Sequence, residues 1–90
     1  MLVEVTVPDL ELIQPETLRV SVWFAEEGEP VYLGDRLVEL RLPGATFDVD
    51  CPADGVLQEI VILPNRAVRA GQVLALIAPT ALPASGAKDQ

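Results

Sequence analysis

Apolar and polar residues alternate along most of this chain with the period of two that is typical of β-strands. The predicted strands cover residues 2–7, 18–24, 36–42, 45–51, 56–63 and 73–77, with a short apolar segment at 31–33. In the second strand four apolar side chains share one predicted face: Leu18, Val20, Val22 and Phe24. No stretch combines helical periodicity with helix caps. The pattern therefore predicts an all-β chain.

A hairpin is predicted at Pro43-Gly44, between two of these strands. The dipeptide suits a type II turn, because proline fixes the second position and glycine accepts a positive φ at the third. If Leu42 and Ala45 close the turn, the register follows. It pairs Leu40 with Phe47 and Val38 with Val49 on the buried side, and Arg41 with Thr46 and Glu39 with Asp48 on the outer side.

The chain also repeats itself after 37 residues. The matched positions are Trp23 with Ile60, Gly28 with Asn65, Val31 with Val68, Gly34 with Gly71, Leu37 with Leu74 and Leu40 with Ile77. Two copies of one small unit predict two antiparallel sheets packed face to face with pseudo-two-fold symmetry. We assign residues 1–78 to this domain and expect residues 79–90, rich in Pro, Ala, Ser and Gly, to be a disordered tail.

Chain length and net charge exclude several classes of function for this protein. The chain has 90 residues, half of them apolar, which is enough for one small domain with its own core. A net charge of −8 argues against nucleic acids and anionic membranes as partners, and favours a protein partner with a basic face. The N-terminus lacks a signal-peptide pattern, and no apolar run reaches the roughly 18 residues of a membrane span. We expect a cytoplasmic protein.

Catalytic and metal-binding constellations are weak in this sequence. There is no histidine, so no Ser-His-Asp set and no Cys-His pair can form. The single cysteine, Cys51, is expected to be a small buried side chain whose pKa is raised by Asp50 and Asp54. Two groups of carboxylates lack calcium-loop spacing and are interpreted as solvated acidic surface: Asp48, Asp50 and Asp54, and Glu26, Glu27 and Glu29. We predict no metal, no catalytic residue and no enzymatic activity.

Several segments together carry a family resemblance. They are Val7-Pro8-Asp9-Leu10, residues 23–31, Gly34-Asp35-Arg36-Leu37 and Pro52-Ala53-Asp54-Gly55-Val56, spread from about residue 3 to residue 77. In this order and spacing they resemble the lipoyl domains of 2-oxo acid dehydrogenase acyltransferases and are similar to biotin carboxyl carrier domains. The resemblance implies a flattened barrel-sandwich of β-strands in which a lysine at a hairpin tip carries the cofactor.

At that tip the sequence departs from the family. Glu39, Leu40 and Ala45 fit the lipoyl pattern, but Gly44 falls on the position of the modified lysine and Pro43 on that of the preceding aspartate. The only lysine, Lys88, lies in the expected tail. We therefore expect no lipoyl or biotinyl cofactor. The candidate interaction surface is the hairpin itself, made of Arg41, Leu42, Pro43, Gly44, Ala45 and Thr46, together with its acidic flank.

Other roles stay open at this point. The leading hypothesis is a cofactor-free accessory or protein-interaction module. One alternative is a true carrier subunit of a multienzyme complex, and another is a module like the lysine-free lipoyl-like domains of transport adaptors. Trp23 and Tyr32 could form a docking patch, although Trp23 is interpreted mainly as a cap on one end of the core.

Overall fold

The computed structural model describes residues 1–80, and it contains two antiparallel β-sheets. Within these residues the strands are β1 (Val3–Thr6), β2 (Arg19–Trp23), β3 (Pro30–Val31), β4 (Arg36–Leu42), β5 (Ala45–Asp50), β6 (Gly55–Ile60) and β7 (Val73–Pro79). A short 3-10 helix, Pro15–Thr17, precedes β2. The four-stranded sheet has the order β1-β7-β6-β3, and the three-stranded sheet has the order β2-β4-β5. The predicted fold class, an all-β barrel-sandwich of two small sheets, is confirmed.

The core between the sheets is built from branched aliphatic side chains. Its largest fully buried members are Leu37, Leu40, Leu57, Leu74, Ile77, Val5, Val20, Val38, Val68 and Cys51. Burying one such aliphatic side chain completely contributes about 1.5–3 kcal/mol relative to leaving it exposed. The apolar face of each sheet is therefore what drives the two sheets together.

The predicted repeat is a structural repeat. Gly34 and Gly71 adopt φ angles of 90° and 88°, and Gly28 and Asn65 adopt 93° and 73°. Phe24 donates its backbone N–H to the Leu37 carbonyl at 2.9 Å, and 37 positions later Val61 donates to Leu74 at 2.9 Å. The same turns and the same inter-strand bonds thus form in both halves.

A bulge in β2 breaks the predicted alternation of residues 18–24. Leu18 and Val20 are buried as expected, but Val22 and Phe24 are about 40% exposed, at 41% and 40%. The pairing with β4 shifts between Val20 and Val22, so the residues after Ser21 change face. The prediction that Val22 and Phe24 share the buried face of Leu18 and Val20 was therefore wrong.

The same bulge orients Trp23. Its side chain becomes half-buried and packs against the core, and its indole Nε1 donates a hydrogen bond to the Ile62 carbonyl at 3.0 Å. This arrangement matches the interpretation of Trp23 as a core cap. Tyr32, the other residue of the suggested docking patch, is 56% exposed in the turn after β3.

The hairpin register was predicted correctly, although one burial prediction was not. Leu42 pairs with Ala45, Leu40 with Phe47 and Val38 with Val49 across β4 and β5. Phe47 nevertheless remains 40% exposed. Because β5 is the last strand of its sheet, no further strand among residues 1–80 covers the Phe47 ring on that side.

Strand ends also differ from expectation. The structure ends β6 at Ile60 rather than residue 63, and Leu63 is exposed. At the other end, β7 continues through Pro79, and Thr80 donates a backbone hydrogen bond to the Asp54 carbonyl at 3.3 Å. The first two residues of the predicted tail, Pro79 and Thr80, are therefore ordered, because Pro79 belongs to β7 and Thr80 bonds to the turn before β6. The predicted disorder of residues 81–90 lies outside the described residues.

Candidate functional site at the β4–β5 hairpin tip

Pro43 and Gly44 form the two-residue tip that joins β4 to β5. Gly44 has a φ of 80°, as the type II turn prediction required. A Cβ placed on Gly44 would meet no other atom within 4 Å, so the tip projects into open space. All six residues of the predicted interaction hairpin belong to this unit, and each is exposed except half-buried Leu42.

A loop from the other sheet lies beside the tip. After β1 the chain turns at Asp9, whose carboxylate accepts the Glu11 N–H at 2.9 Å, and Glu11 adopts a positive φ of 54°. Leu10 and Leu12 pack against the core, which anchors the loop. Ile13 between the anchor and the 3-10 helix is almost fully exposed, at 98%.

An open groove of about 500 Å³ lies between the loop and the tip. Its lining consists of Glu11, Leu12, Ile13, Gln14, Thr17, Leu42 and Pro43. The lining therefore combines apolar side chains with polar ones. Sequence reasoning identified Leu42 and Pro43 but missed the loop, since only the packing of Leu10 and Leu12 brings residues 11–14 to the tip.

The two flanks of the tip carry opposite charge. On the β2 side, Arg19 pairs with Arg41 across the sheet. Asn65 holds both arginines: its carbonyl oxygen accepts from Arg19 Nη1 at 2.9 Å, and its Oδ1 accepts from Arg41 Nη2 at 3.2 Å. On the β5 side lie Asp48 and Asp50, the acidic flank that was predicted. The basic flank was not predicted, because Arg19 and Asn65 are 46 residues apart.

The remaining carboxylates of interest stabilise turns. Glu27 Oε2 accepts the Ile60 N–H at 2.8 Å, Glu29 Oε1 accepts the Glu26 N–H at 2.7 Å, and Asp54 Oδ1 accepts the Leu33 N–H at 2.8 Å. Within residues 1–80 no group of three or more His, Cys, Asp or Glu side chains is arranged to hold a metal ion. These carboxylates therefore have a structural explanation.

Cys51 lies in the core at the end of the hairpin. Its Sγ donates to the Ala53 carbonyl at 3.0 Å, and the side chain is 1% exposed. Burial raises the pKa of the Cys51 thiol, and the negative charges of Asp35 and Asp54 raise it further. The predicted direction is right, but Asp35 acts in place of Asp50. The thiol is thus held neutral and away from solvent.

The chain matches a known protein family over nearly all of its described residues. The model of the Biotin_lipoyl family, described as "Biotin-requiring enzyme", matches residues 3–77, from the first strand to the last. The chain belongs to the Biotin_lipoyl family. Lipoyl and biotinyl domains are carrier domains rather than catalytic ones. No helix within residues 1–80 is long and apolar enough to cross a membrane.

One curated relative shares part of this domain. It is the dihydrolipoyllysine-residue acetyltransferase component of the acetoin cleaving system of Pseudomonas putida. The two are 29% identical over 59 residues, which make up 66% of this chain and 16% of the relative. The aligned part of this chain thus matches only a small portion of that larger protein.

Proposed function

We propose that this chain is a cofactor-free lipoyl-like domain that acts as an accessory or protein-interaction module, with the β4–β5 hairpin tip as its binding surface. The observation that carries this proposal is glycine at position 44, at the tip. A lipoyl or biotinyl group is attached to its domain through an amide on a lysine ε-amine, and glycine offers no side chain for that bond.

No nearby residue substitutes for the missing amine. Lys88 is the only lysine of the chain, and every other basic side chain is an arginine, whose guanidinium stays protonated and does not form such an amide. Lys88 lies 44 positions beyond the tip residue, outside the described residues. The tip therefore keeps the shape of an attachment hairpin without its acceptor group.

The surroundings of the tip suit protein binding instead. Ile13, Leu42 and Pro43 offer apolar contact in the adjoining groove, and charged residues lie on both sides. Interfaces combine such an apolar centre with a charged rim, where the charges govern orientation and association rate. The net charge of −8 favours a partner with a basic face.

The partner class follows by analogy with the Pseudomonas putida relative. That protein is named as a component of the acetoin cleaving system. By this analogy the present chain would join a cytoplasmic multienzyme complex as a subunit that binds but does not carry. A carrier role with Lys88 as the acceptor is the second candidate, and the family match is what favours it.

Intact mass spectrometry of the chain purified from its native host distinguishes these functions. The mass of the unmodified sequence supports the accessory module. Coexpression with a lipoate ligase and a biotin ligase tests the same point under saturating conditions. A lipoyl or biotinyl increment mapped to Lys88, or to any residue of the hairpin, overturns the proposal in favour of a carrier.

A further inference from the structure

Strand β5 forms an open edge of the three-stranded sheet. The sheet order is β2-β4-β5, and within residues 1–80 no backbone hydrogen bond joins β5 to any segment other than β4. An edge strand of this length presents unpaired N–H and C=O groups to which another extended chain can bind. The opposite edge, β2, is partly covered, because Val20 exchanges backbone bonds with Asn65 and Arg66.

The direction of the backbone N–H and C=O groups along β5 follows from Cys51, the residue directly after the strand. Its N–H donates to the Asp35 carbonyl at 2.7 Å, and its C=O accepts from Gly34 at 2.9 Å, so both point toward the neighbouring chain. Backbone groups alternate in direction along an antiparallel strand, and the pairing of β5 runs without an extra residue on its own side. Thr46, Asp48 and Asp50 therefore direct their N–H and C=O groups outward.

The side chains along this edge specify what can pair with it. Asp48 and Asp50 share the outer face of the sheet with Thr46, and Asp48 contacts only Arg36, at 3.5 Å, among the basic residues of the described chain. Phe47 faces inward and is still 40% exposed. In a strand docked on β5, every second side chain would lie opposite these carboxylates. The intervening side chains of the docked strand would lie on the other face, beside the Phe47 ring.

We propose that β5 binds an extended protein segment in which basic residues alternate with apolar ones, and that it does so by strand addition. The basic residues lie opposite Asp48 and Asp50, and an apolar residue covers Phe47. Backbone hydrogen bonds with Thr46, Asp48 and Asp50 supply register, as in other complexes formed by strand addition. This inference rests on the proposed role as a protein-interaction module and names the chemistry of its partner.

A second copy of the chain is a poor occupant of the edge. Antiparallel pairing of β5 with itself, centred on Asp48, places Asp48 directly opposite its own copy, and centring on Val49 places Asp48 opposite Asp50. Centring on Phe47 avoids these pairs by setting Asp48 opposite Thr46, but it still brings the four carboxylates of the two strands together. Like charges in cross-strand pairs are unfavourable, and each copy carries a net charge of −8. A basic segment relieves this repulsion.

The pseudo-symmetry provides an internal control. β1 is the outer strand of the four-stranded sheet, as β5 is of the other, and Glu4 pairs with Leu76 as Asp48 pairs with Glu39. β1 has one carboxylate, Glu4, and presents Thr6 where β5 presents Asp50. A basic segment should therefore select β5 over β1 although both edges are open to pairing.

Amide chemical shifts of the full-length protein, titrated with a short capped peptide of alternating arginine and valine, test the inference. We expect shifts at residues 45–50 that saturate, and no saturating shifts in β1. A peptide N-methylated at every second amide keeps its charge but loses the strand hydrogen bonds, so its binding should be lost. A peptide with the arginines grouped at one end should bind more weakly.

Two variants separate this site from general attraction to an acidic protein. Asp48→Asn should raise the Kd by up to about fivefold, the range of one cross-strand charge pair, whereas Glu4→Gln removes the same charge elsewhere and should leave the Kd unchanged. Equal binding of the N-methylated peptide, equal effects of the two variants, or saturating shifts in β1 overturn the inference. So does a concentration-dependent dimer joined through β5.

Failure here is distinguishable from failure of the proposed function. If the peptide does not bind β5 while intact mass shows an unmodified chain, the edge inference is wrong and the accessory role stands. If the native chain carries a lipoyl or biotinyl group, the accessory role is wrong whatever the peptide does.

Discussion

Asn65 donates its backbone N–H to the carbonyl oxygen of Val20 at 2.8 Å. The equivalent bond in the other half runs from Gly28 to Leu57 at 2.7 Å, with both partners displaced by 37 positions. Each donor has a positive φ, 73° for Asn65 and 93° for Gly28. These paired bonds tie each turn to the opposite half of the molecule, so the two halves stabilise each other.

The first prediction concerns the backbone angle at Asn65. Asn65→Val should lower the free energy of unfolding by about 1–2 kcal/mol, because a residue with a Cβ and no local polar group is strained in the left-handed region. Asn65→Gly should cost less, since only the contact of Oδ1 with Arg41 is lost. Urea denaturation measures both values. Gly28→Asn is the matched control and should be tolerated. Equal costs for Asn65→Val and Asn65→Gly would contradict the assignment.

The second prediction concerns the turn at Gly71. Its φ is 88°, and a Cβ added there would meet no atom within 4 Å, so a substitution adds backbone strain without a steric clash. Gly71→Val should lower stability by about 1–3 kcal/mol. Gly86→Val, in the expected tail, should be nearly neutral. Equal shifts in thermal midpoint for the two variants would count against the repeat as the basis of the fold.

The third prediction places a lysine at the hairpin tip. In the double variant Pro43→Asp, Gly44→Lys, the lysine side chain has open space and position 43 is exposed, so the fold should be retained. Lysine at a φ of 80° costs on the order of 1 kcal/mol unless the turn relaxes to type I, which aspartate permits. A lipoate ligase should then load the variant at least in part, and leave the parent unmodified.

Circular dichroism and intact mass check this variant together. An unchanged spectrum with a lipoyl increment is the expected result. A folded variant that the ligase never loads would show that a lysine at the tip is not sufficient, and that the ligase recognises other residues near the tip.

The fourth prediction concerns the pH dependence that Cys51 introduces. Folding raises the pKa of the thiol above its ordinary value of 9.0, mainly through burial. The neutral thiol's contribution to stability is therefore complete below about pH 9 and declines as the pH rises through the folded-state pKa. Cys51→Ala should lose less stability than the parent between about pH 8 and pH 10.5, measured by urea midpoint. Identical declines in the two proteins would contradict a titrating buried thiol.

Cys51 should also be unreactive in the folded protein. A thiol reagent at neutral pH meets a buried, neutral sulfur, and the thiolate is the reactive form. Labelling should become rapid only after denaturation with urea.

The sequence alone determined the strands, the hairpin register and the repeat. Strand alternation and turn residues are local signals, and the 37-residue shift matched Gly34 with Gly71 and Leu40 with Ile77 without structural information. The same local signals predicted the positive φ at Gly44, and the repeat matched Asn65 with Gly28, both of which have a positive φ in the structure. The family resemblance was carried by short segments in a fixed order, which is also a property of sequence.

Only the tertiary structure decided which faces are covered. The bulge in β2 turned Val22 outward and Trp23 inward, because an extra residue reverses the alternation after it. Gly55 stood out in the sequence only as part of a segment that carries the family resemblance, yet it is buried, and a Cβ there would collide with the Ala78 carbonyl. The groove beside the tip and the basic flank of Arg19 and Arg41 likewise depend on residues far apart in sequence. Those contacts form only when both sheets close on the common core, so no local pattern contains them.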